Sequence, residues 1–167
     1  MKTYQFKSPI LLIVLGFVLL TSCKKNDEAN SAAKAGELSC KIDGKVYNPA
    51  GSGYILADDH TAVKAENGAE QFSINFYGIS EGDYTISDGA KASGNAKLQY
   101  FTGEDKVIYT AKSGTFKVTK YQKTGSFKVS GIFSGKFEKY INNNEPTGII
   151  IEVSDGIFTD IKLSDVR

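Results

Sequence analysis

The feature that most constrains the fold is an apolar/polar alternation of period two, broken about every ten residues by turn pairs. Leu38-Ser39-Cys40-Lys41-Ile42 alternates as a half-buried strand does. Asp43-Gly44 follows it, a pair that tolerates the positive φ required at both positions of a two-residue hairpin turn. Val46 and Tyr47 begin the return strand, and Asn48-Pro49 breaks it. Residues 54–57 and 61–66 read as strands around a polar Asp58-Asp59-His60 turn, and Asn67-Gly68 marks another hairpin. Phe72, Ile74 and Phe76 then alternate cleanly with Gln71, Ser73 and Asn75. Further strands read at 84–86, 97–102, 106–112, 115–121 and 125–140, with turns at Ser87-Asp88-Gly89 and Asn142-Asn143-Asn144-Glu145-Pro146. Ile149-Ile150-Ile151 and Val153 lead into Ser154-Asp155-Gly156, read as the turn of a last hairpin, and then Ile157, Phe158, Ile161 and Leu163. From Leu38 onward, Gly-poor helical stretches with apolar residues at i, i+3, i+4 spacing are nowhere evident.

This pattern predicts an all-β domain: an antiparallel meander of about ten strands that closes as a barrel or folds as a sandwich to bury one face. Gly131 and Gly135 interrupt the long 125–140 run and mark bulges, where a sheet bends to close. The triple isoleucine predicts a central strand buried on both faces. Gly114-Thr115-Phe116-Lys117-Val118, Gly125-Ser126-Phe127-Lys128-Val129 and Gly135-Lys136-Phe137-Glu138-Lys139 look alike; they read as successive strands that each start after a glycine, too short to be solenoid units.

The strands are preceded by a segment of another kind. Lys2 and Lys7 precede an 11-residue apolar run, Ile10 to Leu20, followed by Thr21-Ser22-Cys23. The run is too short to span a bilayer core of about 30 Å and has the order of a secretory signal. Leu20-Thr21-Ser22-Cys23 looks like a bacterial lipobox, which implies cleavage before Cys23, a diacylglyceryl group on its thiol and an acyl chain such as palmitate on the new amine. Two or more chains anchor a protein stably, at about 0.8 kcal/mol per buried CH₂. The expected organisation is thus a signal peptide over 1–22, a lipid-anchored flexible tether over 23–37 and the all-β domain over 38–167. Residues 24–37 contain no aromatic or β-branched residue and cannot offset the entropy of ordering. As a flexible chain they would reach about 20 Å. The lysines and acids directly after Cys23 resemble the export signal of surface lipoproteins in the Bacteroidota. The absence of Asp at the position after Cys23 is consistent with transfer to an outer membrane, which is the expected place, on the periplasmic face or at the cell surface.

Charge and composition narrow the function classes. Cleavage before Cys23 leaves 145 residues with 18 basic and 19 acidic groups, which provides no footprint for a nucleic acid. One histidine and two cysteines argue against a zinc site or a disulfide framework, and neither a metal nor a cofactor is expected. His60 beside Asp58 and Asp59 is the single polar centre, yet adjacent strand residues face opposite ways and lack ligand spacing. Cys40 shares the parity of Leu38 and Ile42, hence an inert core thiol. Gly51-Ser52-Gly53 lacks nucleophile-elbow spacing, and Asp43, Asp88 and Asp155 each precede a turn glycine. Lys120, Lys123, Lys128, Lys136 and Lys139 read as solvating charges on strand faces and edges. Tyr77 is expected to face outward, either as a sugar-stacking or protein-binding platform or as a strand former with a wet tip. Sugar platforms often use tryptophan, and there is none.

The lipobox, the polar tether and the opening Cys40-Lys41-Ile42-Asp43-Gly44-Lys45-Val46-Tyr47 resemble a group of small Bacteroidota lipoproteins with an all-β domain of unknown function. Residues 113–121 and Ser154-Asp155-Gly156-Ile157-Phe158 are similar to that group's ends, although Val46-Tyr47 stands where its members commonly have a tryptophan. The resemblance implies placement and fold, and carries over no binding residue. The sequence therefore leads to a non-catalytic, lipid-anchored binding or structural accessory at the outer membrane, with a protein or glycan partner. The alternatives are a lipocalin-like carrier of a small apolar ligand, a glycan-binding accessory module, and an enzyme of unfamiliar type centred on Asp58, Asp59 and His60.

Overall fold

A computed structural model describes residues 33–88, 91–104, 107–142 and 144–167. The signal segment 1–22, Cys23 and the expected tether up to residue 32 lie outside the described residues, as do Gly89, Lys106 and Asn143. The strands are β1 (Glu37–Ile42), β2 (Lys45–Tyr47), β3 (Ala50–Leu56), β4 (His60–Asn67), β5 (Glu70–Tyr77), β6 (Gly82–Asp83), β7 (Thr85–Ile86), β8 (Asn95–Phe101), β9 (Ile108–Gln122), β10 (Lys128–Ile141) and β11 (Glu145–Asp165). Among the described residues there is no helix.

Eight strands form a ring. β1, β3, β4, β5, β8, β9, β10 and β11 each pair antiparallel with the next in chain order, and β11 returns to β1. The meander is thus an up-and-down barrel. Its turns follow the expected chemistry: Asp43 and Gly44 have φ of 46° and 79°, and Gly68 has φ of 63° at the β4–β5 turn.

Two places depart from a pure meander. β1 and β3 touch only at Glu37↔Ala50, so the far end of β11 continues past β1 onto β3, where Leu163–Asp165 pair parallel to residues 53–55. β8 and β9 pair only at 99–101 against 108–110 and splay beyond that point. β6 and β7 fill the opening, β6 antiparallel to β9 and β7 parallel to β8. Tyr84, between them, sends its ring inward onto Phe76 (5.1 Å, edge-on), and its hydroxyl donates to Ser80 O at 2.8 Å.

The interior is aromatic. Phe72, Phe76, Phe116, Phe133, Phe137 and Phe158 are all buried, with centroids of contacting pairs 5.0–6.5 Å apart. Such contacts add about 0.5–1.5 kcal/mol each beyond area burial. Leu38, Ile74, Leu98, Val118, Val129 and Ile161 complete the packing.

Three sequence expectations are corrected. Ser154-Asp155-Gly156 is not a hairpin turn, because β11 runs through it unbroken. Asp155 takes the left-handed conformation (φ 53°) at a bulge opposite Phe133–Gly135. A reversal there would leave β10 and β1 without the partner that both need, whereas a bulge adds only twist. The triple isoleucine is not buried on both faces either: Ile149 and Ile150 are 54% and 49% exposed, and only Ile151 is buried. β1 ends at Ile42↔Val153, so the preceding part of β11 overhangs with a single neighbour, β10. Finally, Gly114 and Gly135 do not start strands. They face each other in the middle of β9 and β10, where the predicted strands 106–112 and 115–121 join into one.

The expected bends at Gly131 and Gly135 are present as register shifts. A Cβ on Gly131 would overlap the Phe158 ring and the Lys117 carbonyl, so three strands approach there only because the side chain is missing. Of the expected tether, residues 34–36 are held against the wall: Gly36 N donates to Thr159 O and accepts at its own carbonyl from Gly51 N, both at 2.7 Å.

Candidate functional site

The β3–β4 turn is Ala57-Asp58-Asp59-His60, with φ of 59° and 53° at the two aspartates, the mirror-image turn geometry that suits strand twist. His60 N donates to Ala57 O (3.3 Å) and closes it. Gly78 N donates to Asp59 O (2.8 Å), tying the turn to the exit of β5. Both carboxylates therefore stand at one end of the barrel. Asp59 Oδ1 lies 3.6 Å from Arg167 Nη1, whose guanidinium also clamps Asp165 through Nη2 (2.7 Å) and holds that carboxyl down at about 2.

His60 begins β4 directly across from Tyr77 of β5. Their rings stack with centroids 4.6 Å apart and 17° between planes. Tyr77 faces outward, as its parity requires. The amide oxygen of Asn75 is 3.2 Å from His60 Nε2 and has only lone pairs to offer, so Nε2 is the donor. Asn75 Nδ2 in turn donates to Ser73 Oγ (3.0 Å). Ser73, Asn75 and Tyr77 are alternate residues of one strand, and this row fixes the imidazole plane.

The stack separates two depressions. One, of about 590 Å³, is lined by 57–60, Tyr77, Gly78, Ile79, Ser80, Lys91, Ser93 and Lys123. The other, of about 220 Å³, is bordered by His60, Asn75, Tyr77, Ser87, Asp88, Lys91, Ala96 and Lys97. The larger falls within the ~300–1,000 Å³ typical of small-ligand sites. Its lining combines an acidic turn, two lysines and an aromatic floor. Asp58, Lys91 and Lys123 form no ion pair among the described residues. Beneath the site Thr61 Oγ1 donates to Gly78 O (3.0 Å) and accepts from Tyr121 OH (2.9 Å), so the floor is tied into the core.

The segment 78–88, which carries β6 and β7, is latched on the outer wall. Lys112 Nζ donates to Tyr140 OH and to Asp88 Oδ2, both at 2.9 Å, and these two partners lift the ammonium well above its ordinary range.

A different cleft, of about 340 Å³, opens beside β2, lined by Ile42, Val46, Tyr47, Tyr100, Tyr109 and Ile151 together with Asp43, Lys45, Glu70 and Thr102. Tyr47 and Tyr100 meet edge-on at 5.8 Å. Burial pushes both phenols up, aided at Tyr100 by the neighbouring Glu70 carboxylate.

Asp58, Asp59 and His60 are thus brought together as the sequence suggested, but the imidazole's hydrogen-bond partner is an amide. Asn75 was legible as a neighbour of Tyr77 by parity. Lys91, Ser93, Lys123 and Arg167 come from loops and the terminus, where no periodicity points to them. Cys40 is buried in the core and lines none of these depressions, its thiol pushed up to about 12 by desolvation. Among the described residues no group of three or more His, Cys, Asp or Glu side chains could hold a metal ion. Lys120 and Lys128 both reach Asp160, at 2.7 and 4.0 Å, as solvated wall charges. Comparison of the chain with family models, with curated proteins and with solved structures finds no match.

Proposed function

We propose that this protein is an outer-membrane or cell-surface lipoprotein whose barrel acts by non-covalent contact, as a binding accessory rather than an enzyme. The observation that carries this reading is the His60–Tyr77 pair beside an open cleft on a barrel wall. His60 donates to an amide that neither ionises nor attacks, and the cysteine of the domain is sealed in the core. The envelope placement rests on the lipobox Leu20-Thr21-Ser22-Cys23 and on the resemblance to small Bacteroidota lipoproteins. Partners are the membrane, reached through the lipid on Cys23, and a ligand at the cleft. The near-neutral charge argues against nucleic acid.

The test is mass spectrometry of the protein from native membranes. A diacylglyceryl-modified Cys23 at the new N-terminus is expected, and Cys23→Ala should shift the protein into the soluble fraction. Unmodified Cys23 with the protein free in the medium would overturn the placement. Turnover of a substrate that disappears in His60→Ala would overturn the non-catalytic reading.

A second reading, a carrier of a small apolar ligand, is favoured by one observation: the tyrosine-lined cleft at the β2 end. Six phenylalanines occupy the barrel axis, so such a ligand would sit at that mouth rather than in the lumen. Binding of an environment-sensitive apolar dye that is lost in Tyr109→Ala would support it.

A further inference from the structure

We infer that the cleft beside the β3–β4 turn is a carbohydrate site, in which the His60–Tyr77 stack carries a neutral pyranose ring and Asp58, Lys91 and Lys123 take its hydroxyls. This rests on the contact-module reading above and names its ligand class.

The lining selects by exclusion. Asp58 and Asp59 stand at one lip and Lys91 and Lys123 also line the cleft, so a monovalent ion of either sign meets like charges as well as opposite ones. An apolar ligand would strip water from all four charges without replacing a hydrogen bond. A neutral polyol escapes both penalties, since each hydroxyl donates one hydrogen bond and accepts up to two. It can donate to Asp58 and accept from Lys91 or Lys123 at once, and bonds to charged partners are the stronger kind.

The aromatic pair supplies the other half. An aromatic face is the negative pole of the ring quadrupole and attracts the weakly positive C–H face of a sugar ring. Tyr77 and His60 spend one face each on their stack, and the Ser73–Asn75–His60 row holds the imidazole. Little side-chain entropy is then lost on binding. The pair and Lys91 border both the 590 Å³ and the 220 Å³ depressions, so two sugar units of one chain can flank a shared aromatic ridge. The turn adds a further sign: two successive aspartates hold positive φ where Asn-Gly would be easier, which keeps two carboxylates at the lip at a cost in backbone strain.

The experiment is saturation-transfer NMR on the detergent-solubilised full chain, irradiating protein aromatic protons and observing the sugar. The probes are neutral hexasaccharides of glucose, mannose, xylose and galactose, with a galacturonate oligomer as the acidic comparator. At least one neutral series should take up saturation, with binding weakened tenfold or more by Tyr77→Ala and several-fold by Asp58→Asn. Tyr77→Phe, which keeps the ring, should bind nearly as the parent does and guards against loss of fold in the alanine variant. The inference is overturned if no neutral hexasaccharide binds at millimolar concentration, if the acidic oligomer alone binds, or if Tyr77→Ala binds unchanged. Acylation of Cys23, read on the same preparation, is independent of these outcomes, so the lipoprotein reading can stand where the sugar site falls.

Discussion

Cys40 shows how far a single residue's environment can be inferred from parity. Its place between Leu38 and Ile42 implied an interior thiol, and it is 1% exposed, its thiol pushed up to about 12. Native protein should therefore resist thiol reagents and react only on unfolding; fast labelling without denaturant would contradict the packing. The same shift sets an alkaline limit. Unfolded, the thiol ionises near its ordinary value of 9.0, while folded it stays neutral until about 12, so the unfolded state alone loses protons between those values. Stability from this group is full below about pH 9 and should fall as pH rises towards 12, with Tyr47, Tyr100 and Tyr121, also raised by burial, extending the loss upward. Denaturant midpoints measured across that range should decline, and Cys40→Ala should flatten the first part of the decline. Gly131 is the complementary case, where what matters is the absence of atoms. Gly131→Ala has to displace Phe158 or the Lys117 carbonyl and should cost about 1–3 kcal/mol in urea unfolding.

Among the elements, the Asp43-Gly44 and Asn67-Gly68 hairpins and the long run of β10 are legible, whereas β9 and β11 each read as two strands. Asp43-Gly44 turns as its residues require because the decision is local: two positions need positive φ and those two residues accept it. Ser154-Asp155-Gly156 offers the same local chemistry and yields a bulge, since the outcome there depends on β10 and β1 lying on either side. Turn chemistry states that the backbone goes left-handed and leaves open whether the chain reverses. Of the β6–β7 insertion the strand at 84–86 is legible, but β6 and the partners of both strands are not, being set by where β8 and β9 splay. Its hold on the barrel is Tyr84. Tyr84→Ala empties the volume against Phe76 and Phe116 and removes the bond to Ser80 O, and should cost about 3 kcal/mol or more. Hydrogen exchange at Tyr84 N, which donates to Phe116 O at 3.0 Å, should accelerate in the variant before that of β4 or β5.

For the whole molecule, the class and the meander followed from period two and turn spacing, while closure of the ring did not. Whether ten strands become a barrel or a sandwich turns on β11 reaching β1, a contact between the two ends of the domain that no local window contains. The candidate site divides in the same way. Asp58, Asp59, His60 and Tyr77 were visible because a turn and a strand parity place them, whereas Lys91 and Lys123 join them through loops.

For a chain anchored as proposed, that closure has a consequence. Anchoring confines many copies to a thin layer, where chance encounters between neighbours become frequent. In an open sheet the first and last strands keep a row of amide and carbonyl groups free, and crowding would invite copies to zip together through them. The principal ring here has neither a first nor a last strand, so among the described residues the edges open to such zipping are confined to the short β2, β6 and β7 and to the overhang of β11.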